Sequence, residues 1–316
     1  MHSSAVILLA NPAHQTALNA RKRLVLSGSV EPLVELRLSA ALLTLRDCSK
    51  QTIMWHHRRW LLRRLYSIKR AADTVTSPGV TEDEDTLFDY DIPVPALAQE
   101  LAIAARAAET YSRNYFAWNH RGRVVDALLV IVRKTLADNS PDGDLDHLEA
   151  TLEDEHAWVM KWVDLHVSDY TAVQYLRHVD TSLRTMAAEM ARDGLSPSQR
   201  FADLEVQILH HAHSLLRAYP HYESVWMYAR IVQGLEMSES DGLAYASEVV
   251  HVGSHASSLP EYQEKTKLYA RRFLAWHAHD QKRPMSRAIR PRDVLLDNET
   301  ARTAVETLLQ DDQDAR

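Results

Sequence analysis

Two segments of this 316-residue chain set the same reactive side chains at the same spacing. Trp55-His56-His57-Arg58 and Trp118-Asn119-His120-Arg121 each place an indole, an imidazole and a guanidinium within one helical turn. Positions three apart on a helix are neighbours on its surface, so Trp118 and Arg121 act from one face. The indole can fill the gap between adjacent helix pairs. The guanidinium can stack on a ring or fork onto a carboxylate of the next pair. That chemistry is the chemistry of a lock between repeats, and a reaction would need residues beside it. A motif that recurs is also the signature of a repeat architecture.

Three weaker copies complete the pattern. Leu18 with Arg21, Val173 with Arg177 in the segment opened by Tyr170, and Trp226 with Arg230 repeat an apolar anchor followed by arginine. In the last two the arginine stands four residues on, and Leu176 and Ala229 take the third position. Each anchor segment follows another stretch of helical periodicity: Val34, Leu38, Leu42 and Leu45; Leu97, Leu101, Ala104 and Ala108; Trp158, Trp162 and Leu165; Phe201, Leu204, Ile208, Ala212 and Leu215. Tyr262, Thr266, Tyr269, Phe273 and Trp276 mark a closing helix. The expectation is an all-α chain, an α-α superhelix formed as a right-handed solenoid of helical hairpins, with one repeat domain over 1–278. The copy anchored at Leu18 opens near Met1 and is expected to lack a leading helix. An acidic, proline-rich insertion is expected over 73–95, with further breaks at Asn139 to Gly143 and Asp193 to Pro197. Residues 279–316 read as a partly disordered extension.

Composition agrees and narrows the class. With 8 Gly and 4 Phe and many Ala, Leu and Arg, the chain favours helix over twisted sheet. Its single cysteine, Cys48, forms no internal disulfide, Ala5 to Ala10 is too short and unflanked for a signal sequence, and no apolar run spans a bilayer. A cytoplasmic setting is expected. The net charge of -7 gives no bulk attraction to nucleic acid.

Other constellations carry less. Seventeen histidines, His210, His211 and His213 among them, lack the convergent spacing a zinc site needs, so no metal is expected in this chain. Arg58, Arg59, Arg63, Arg64, Lys69 and Arg70 form the densest basic run, of which only part can share a helix face. It reads as a solvated face or as a patch for an acidic surface or anionic substrate. No glycine-rich phosphate loop is present, and a self-sufficient enzyme is not expected.

Asn114-Tyr115-Phe116-Ala117-Trp118-Asn119-His120-Arg121 resembles the Asn-Tyr-x-x-Trp-x-x-Arg repeat of protein prenyltransferase alpha subunits, and Trp55-His56-His57-Arg58-Arg59 is similar to another copy. His166-Val167-Ser168-Asp169 and Tyr219-Pro220 with Glu223-Ser224-Val225-Trp226 resemble in particular the prenyltransferase alpha subunit repeat-containing branch. The resemblance covers roughly residues 5 to 235. It departs from the family at Gln51-Thr52, at Val173, and where Leu176 and Ala229 replace arginine.

The resemblance implies a helical subunit that wraps a separate beta subunit. The beta subunit carries the zinc ion and most of the active site, and this chain holds no cofactor. The implied reaction moves an isoprenoid, geranylgeranyl being the expected one, from its diphosphate to a cysteine near the C-terminus of an acceptor protein. Lys50, five residues before Trp55, occupies the place of the family's lysine near the diphosphate, where a cation stabilises the leaving group. Asn114, Tyr115, His57 and Asn119 are expected to face the beta subunit or the substrate. The competing reading is a non-catalytic helical repeat scaffold for binding proteins.

Overall fold

The computed structural model describes residues 2–66, 86–137, 145–192, 199–232, 239–251 and 259–280. Among these residues it is all-α, with no strand. The helices are α1 (His2–Ala10), α2 (Gln15–Leu26), α3 (Pro32–Leu43), the short α4 (Arg46–Ser49), α5 (Thr52–Leu65), α6 (Val94–Thr110) and α7 (Tyr115–Ala137). They continue with α8 (Leu145–Leu165), α9 (Tyr170–Arg192), α10 (Gln199–Ala218), α11 (Glu223–Val232), α12 (Glu239–His251) and α13 (Pro260–Asp280). No described helix is long and apolar enough to cross a membrane.

The chain forms two compact units, Met1–Ala157 with His178–Ser198, and Trp158–Arg177 with Gln199–Arg316. In the first, α1 packs on α2, α3 on α5, and α6 on α7. In the second, α10 packs on α11 and α12 on α13. Hairpins of helices are thus the building block, as the periodicity predicts. The copy anchored at Leu18 does have a leading helix, α1, whose Leu8 is buried. The sequence hides it because its apolar run is short.

Tryptophan and arginine of the repeated motif do what their spacing predicts. The Trp55 indole is fully buried, lies 5.0 Å from the His120 ring of α7, and donates from Nε1 to the Ser49 carbonyl at 2.8 Å. Trp226, in the second unit, donates to the Pro220 carbonyl at 2.7 Å and packs against Tyr245 of α12 and Phe273 of α13. Both indoles reach back to a carbonyl in the turn that leads into their own helix. Truncating such a side chain to alanine costs about 3–5 kcal/mol.

Arginine finds its carboxylate on the first helix of the next hairpin. Arg58 donates from Nε and Nη2 to Glu100 of α6 at 2.6 and 2.7 Å, and from Nη1 to the Leu36 carbonyl of α3 at 3.0 Å. Arg121 repeats this one hairpin on, with its fork on Glu155 of α8 and Nη1 on the Leu101 carbonyl of α6 at 2.7 Å. Arg21 forks onto Glu35 of α3. A histidine closes two of these sets from the following anchor helix. His57 Nε2 lies 3.1 Å from Glu35, and His120 Nε2 lies 2.9 Å from Glu100. A carboxylate only accepts, so each imidazole carries its proton on Nε2.

The buried carboxylates explain where periodicity misjudged a face. Glu35 and Ser39 are buried in α3 together with Leu36, Leu42 and Leu43, whereas Val34 and Leu45 are exposed, so the buried face sits one residue round from the expected one. Two polar residues on that face serve as hydrogen-bond partners of Arg21, His57 and Arg58. Leu165, expected in the core, is 71% exposed at the end of α8. Arg177 is exposed and Tyr170 opens α9 on the surface, because a step of four instead of three rotates the side chain by about 100° off the lock face. Arg230 lies 5.5 Å over the Trp276 ring instead of on a carboxylate.

Of the expected insertion, residues 73–85 lie outside the described residues. Leu87 and Ile92 are buried and Val94 and Pro95 open α6, so its last part belongs to the core. The breaks at Asn139 to Gly143 and Asp193 to Pro197, and residues 281–316, also lie outside the described residues.

Burial alone pushes the Glu35 and Glu100 carboxyls up, but the facing arginine and histidine outweigh it and hold both at about 2 instead of 4.5. Burial pulls His57 and His120 below the ordinary 6.5, so both are neutral. Each depressed group binds protons more readily when unfolded, so each loses stability on acidification. Melting temperature is expected to fall as pH drops below 6.5 and to fall further between 4.5 and 2; a flat profile over that range excludes these groups as linked. Glu100→Gln, which leaves Arg58 buried without its counter-charge, is expected to cost about 3–5 kcal/mol in urea unfolding. The pair Arg58→Met with Glu100→Leu is expected to cost less than that single change, since neither charge is then left stranded.

Candidate functional site

The turn between α3 and α5 carries the candidate lysine. Four residues of α4 close with Lys50 as the capping residue, and Gln51 then opens α5 without a side-chain cap. The lysine side chain is 41% exposed, and its Nζ donates to Asp47 Oδ1 at 2.6 Å. That hydrogen bond, with the lysine charge behind it, lowers the Asp47 carboxyl. Arg46, next to it, lies 5.7 Å over the Tyr111 ring. Cys48 points the other way: it is fully buried, with its thiol raised by burial and then by Asp47. It offers no accessible nucleophile.

Tyr115 opens the next anchor helix and is 61% exposed, with Phe116 edge-on at 5.7 Å. Its neighbour Asn114 is buried and structural. The Asn114 Oδ1 accepts from the Ala117 amide at 3.2 Å, capping α7, while Nδ2 donates to the Ser49 carbonyl at 3.1 Å and to the Ala107 carbonyl at 3.4 Å. Ser49 therefore accepts from both Trp55 and Asn114. One carbonyl ties the turn holding Lys50 to its own anchor helix and to the turn holding Tyr115. Arg113, with φ at 56°, supplies the left-handed residue that bends the chain out of α6 towards Asn114.

The other expected contacts are distributed differently. His57 is buried on Glu35 and stacked 5.7 Å from Trp60. Asn119 is half-buried on α7 and accepts from Arg123 at 3.1 Å. His211 sits in the second unit between Asp164 at 2.8 Å and the Tyr228 hydroxyl at 3.0 Å. Among the described residues no group of three or more His, Cys, Asp or Glu is placed to hold a metal ion.

Sequence reasoning missed the three lock glutamates, Asp47 and the Ser49 carbonyl. One signal was available: Glu100 stands inside the apolar face of Leu97, Leu101 and Ala104, twenty residues before His120. A backbone carbonyl leaves no trace in a residue pattern.

Hairpins locked in this way, with the paired Trp and Arg, define an all-α protein built of helical repeats. Residues 97–128, which hold Glu100, Trp118 and Arg121, match the protein prenyltransferase alpha subunit repeat. The chain is 27% identical over 287 residues to Protein prenyltransferase alpha subunit repeat-containing protein 1 of Homo sapiens, covering 84% of this chain and 66% of that one. It is 27% identical over 247 residues to the protein of that name in Danio rerio, covering 72% and 53%. With protein 1-B of Xenopus laevis it shares 31% over 180 residues, covering 57% and 36%. The match thus spans under two thirds of each relative's own length. These likenesses support, for this chain, the branch of prenyltransferase alpha subunit repeat-containing proteins.

Asn114→Ala removes a helix cap and the bond to Ser49. The expected loss is about 1–2 kcal/mol in thermal or urea unfolding, with faster amide exchange in both turns. Exchange changed at Tyr115 but not around Lys50 would refute the tie.

Proposed function

We propose that this chain is the alpha-type subunit of a heterodimeric protein prenyltransferase. The observation that carries the reading is the Ser49 carbonyl shared by Trp55 and Asn114, which couples the turns bearing Lys50 and Tyr115 in a chain built on this repeat. In the reaction a cysteine thiolate of the acceptor protein, its proton given up to solvent, bonds through sulfur to the first carbon of the isoprenoid. The carbon–oxygen bond breaks, and diphosphate leaves with the electron pair. Lys50, released from Asp47, meets the charge that grows on the leaving oxygen. Its bond to Asp47 is an exposed pair screened by solvent, so exchange for a diphosphate costs little. Tyr115 offers an open ring to the prenyl chain. Zinc in this reading belongs to the beta subunit. Geranylgeranyl is the proposed isoprenoid, and the cytoplasm the proposed setting.

The test is copurification with candidate beta subunits, followed by transfer of a labelled isoprenoid diphosphate to an acceptor protein. Transfer by the heterodimer, and by neither chain alone, is expected. A stable lone chain that ignores every beta subunit would sink the reading and leave a helical repeat scaffold. In an active heterodimer, Lys50→Ala is expected to lower kcat by roughly 10²–10³-fold, the scale of losing one charge-stabilising group. An unchanged rate would remove Lys50 from the site and leave the subunit reading standing.

A further inference from the structure

In the second unit the arginine of the motif is left short of counter-charge. Arg230 of α11 donates from Nη2 to the Arg272 carbonyl of α13 at 3.4 Å, a long bond to a neutral acceptor. Its Nε is buried and meets no acceptor among the described residues. The Trp276 ring of α13, 5.5 Å from the guanidinium carbon, backs the group from one side.

A second guanidinium stands beside it. Arg272 lies one turn before Trp276 on α13, and its Nη1 is 3.6 Å from Glu223 Oε1 of α11, a long and exposed pair. Burial pulls the Arg230 guanidinium below its ordinary value; Glu223 opposes that shift, and the charge of Arg272 adds to it. Among the described residues, two cations thus share one exposed carboxylate. Lys265, earlier on α13, does not count towards the set, because Glu261 takes its Nζ at 2.6 Å.

We infer that Arg230 and Arg272, backed by Trp276, form a binding site for a phosphate group, free or esterified. The two guanidinia come from different helices, and a tetrahedral anion offers oxygens to both, whereas a planar carboxylate matches the fork of one. Stacking on an indole leaves a guanidinium its edge for such bonds. Charge on a half-buried arginine is also screened less than charge on an exposed lysine. Glu223, with 60% of its side chain exposed, turns to solvent when the anion enters. The site lies within the second unit and is independent of the proposed heterodimer.

The full chain is to be titrated with inorganic phosphate at constant ionic strength, with the arginine Nε–H signals followed by nuclear magnetic resonance. Saturable shifts at Arg230 and Arg272 are expected, and Arg230→Met is expected to weaken binding by about ten- to a hundredfold. Glu223→Gln removes the competing charge and is expected to tighten binding by about two- to fivefold, a gain that unfolding does not produce. O-phosphoserine separates the sources: affinity equal to that of phosphate supports an esterified group, and binding of phosphate alone supports the free ion. Acetate that binds as well as phosphate would overturn the site, as would a response no different from that to chloride. Phosphate binding that both Arg230→Met and Glu223→Gln leave unchanged would overturn it too.

Discussion

A buried glutamate that answers to two hairpins at once is the constraint on which the first unit depends. Glu100 accepts a two-pronged bond from Arg58 of the preceding hairpin and one from His120 of its own. Moving a carboxylate out of water is costly, and only a partner set of this geometry makes the burial tolerable. The orientation of three helices is thereby fixed by one side chain, because any rotation of α5, α6 or α7 would strand a charge. Hydrophobic packing supplies the bulk of the attraction between hairpins, but it is indifferent to small rotations. The charged set is not.

The lock also shows how it is dismantled. Where the third position after the anchor becomes Leu176, the matching place on the next first helix, twenty residues before Tyr228, is Ile208. Both are fully buried. Arginine and carboxylate have been given up together, and the hydroxyl of Tyr228 bonds the Ile208 carbonyl at 3.4 Å instead. Replacing a complete buried ion pair by apolar side chains is energetically mild, whereas losing one half is not.

How much of this could be read beforehand depends on which atoms were involved. The anchors Trp55, Trp118 and Trp226 and the lock arginines Arg21, Arg58 and Arg121 were legible, because side-chain type and a three-residue step determine what a helix face can do. The face of α3 was misread, since an apolar count treats Glu35 and Ser39 as outward-facing and gives no weight to partners that come from other helices. Arg177 was misread through a single extra residue of spacing. At the candidate site, Lys50 and Tyr115 were named through the resemblance, from the places they hold before the anchors. What joins their turns is a main-chain oxygen, and side-chain letters carry no record of it. Asn114 was expected from the resemblance to face the beta subunit or the substrate, and a residue letter does not show that its amide is consumed by a helix cap and two carbonyls.

The same fork and carboxylate close over very different lengths of chain. Arg21 reaches Glu35 across 14 positions, Arg121 reaches Glu155 across 34, and Arg58 reaches Glu100 across 42. Geometry in space is held while distance along the chain is released. The linkers between hairpins can therefore lengthen at a cost that grows only logarithmically, about 0.6 kcal/mol for each doubling. Between the anchor and the arginine of one helix no such liberty exists, because an added residue swings the arginine away from its carboxylate. Insertions in a lineage of such proteins should accumulate at the joints between hairpins, and the three-residue step inside the motif should stay constant.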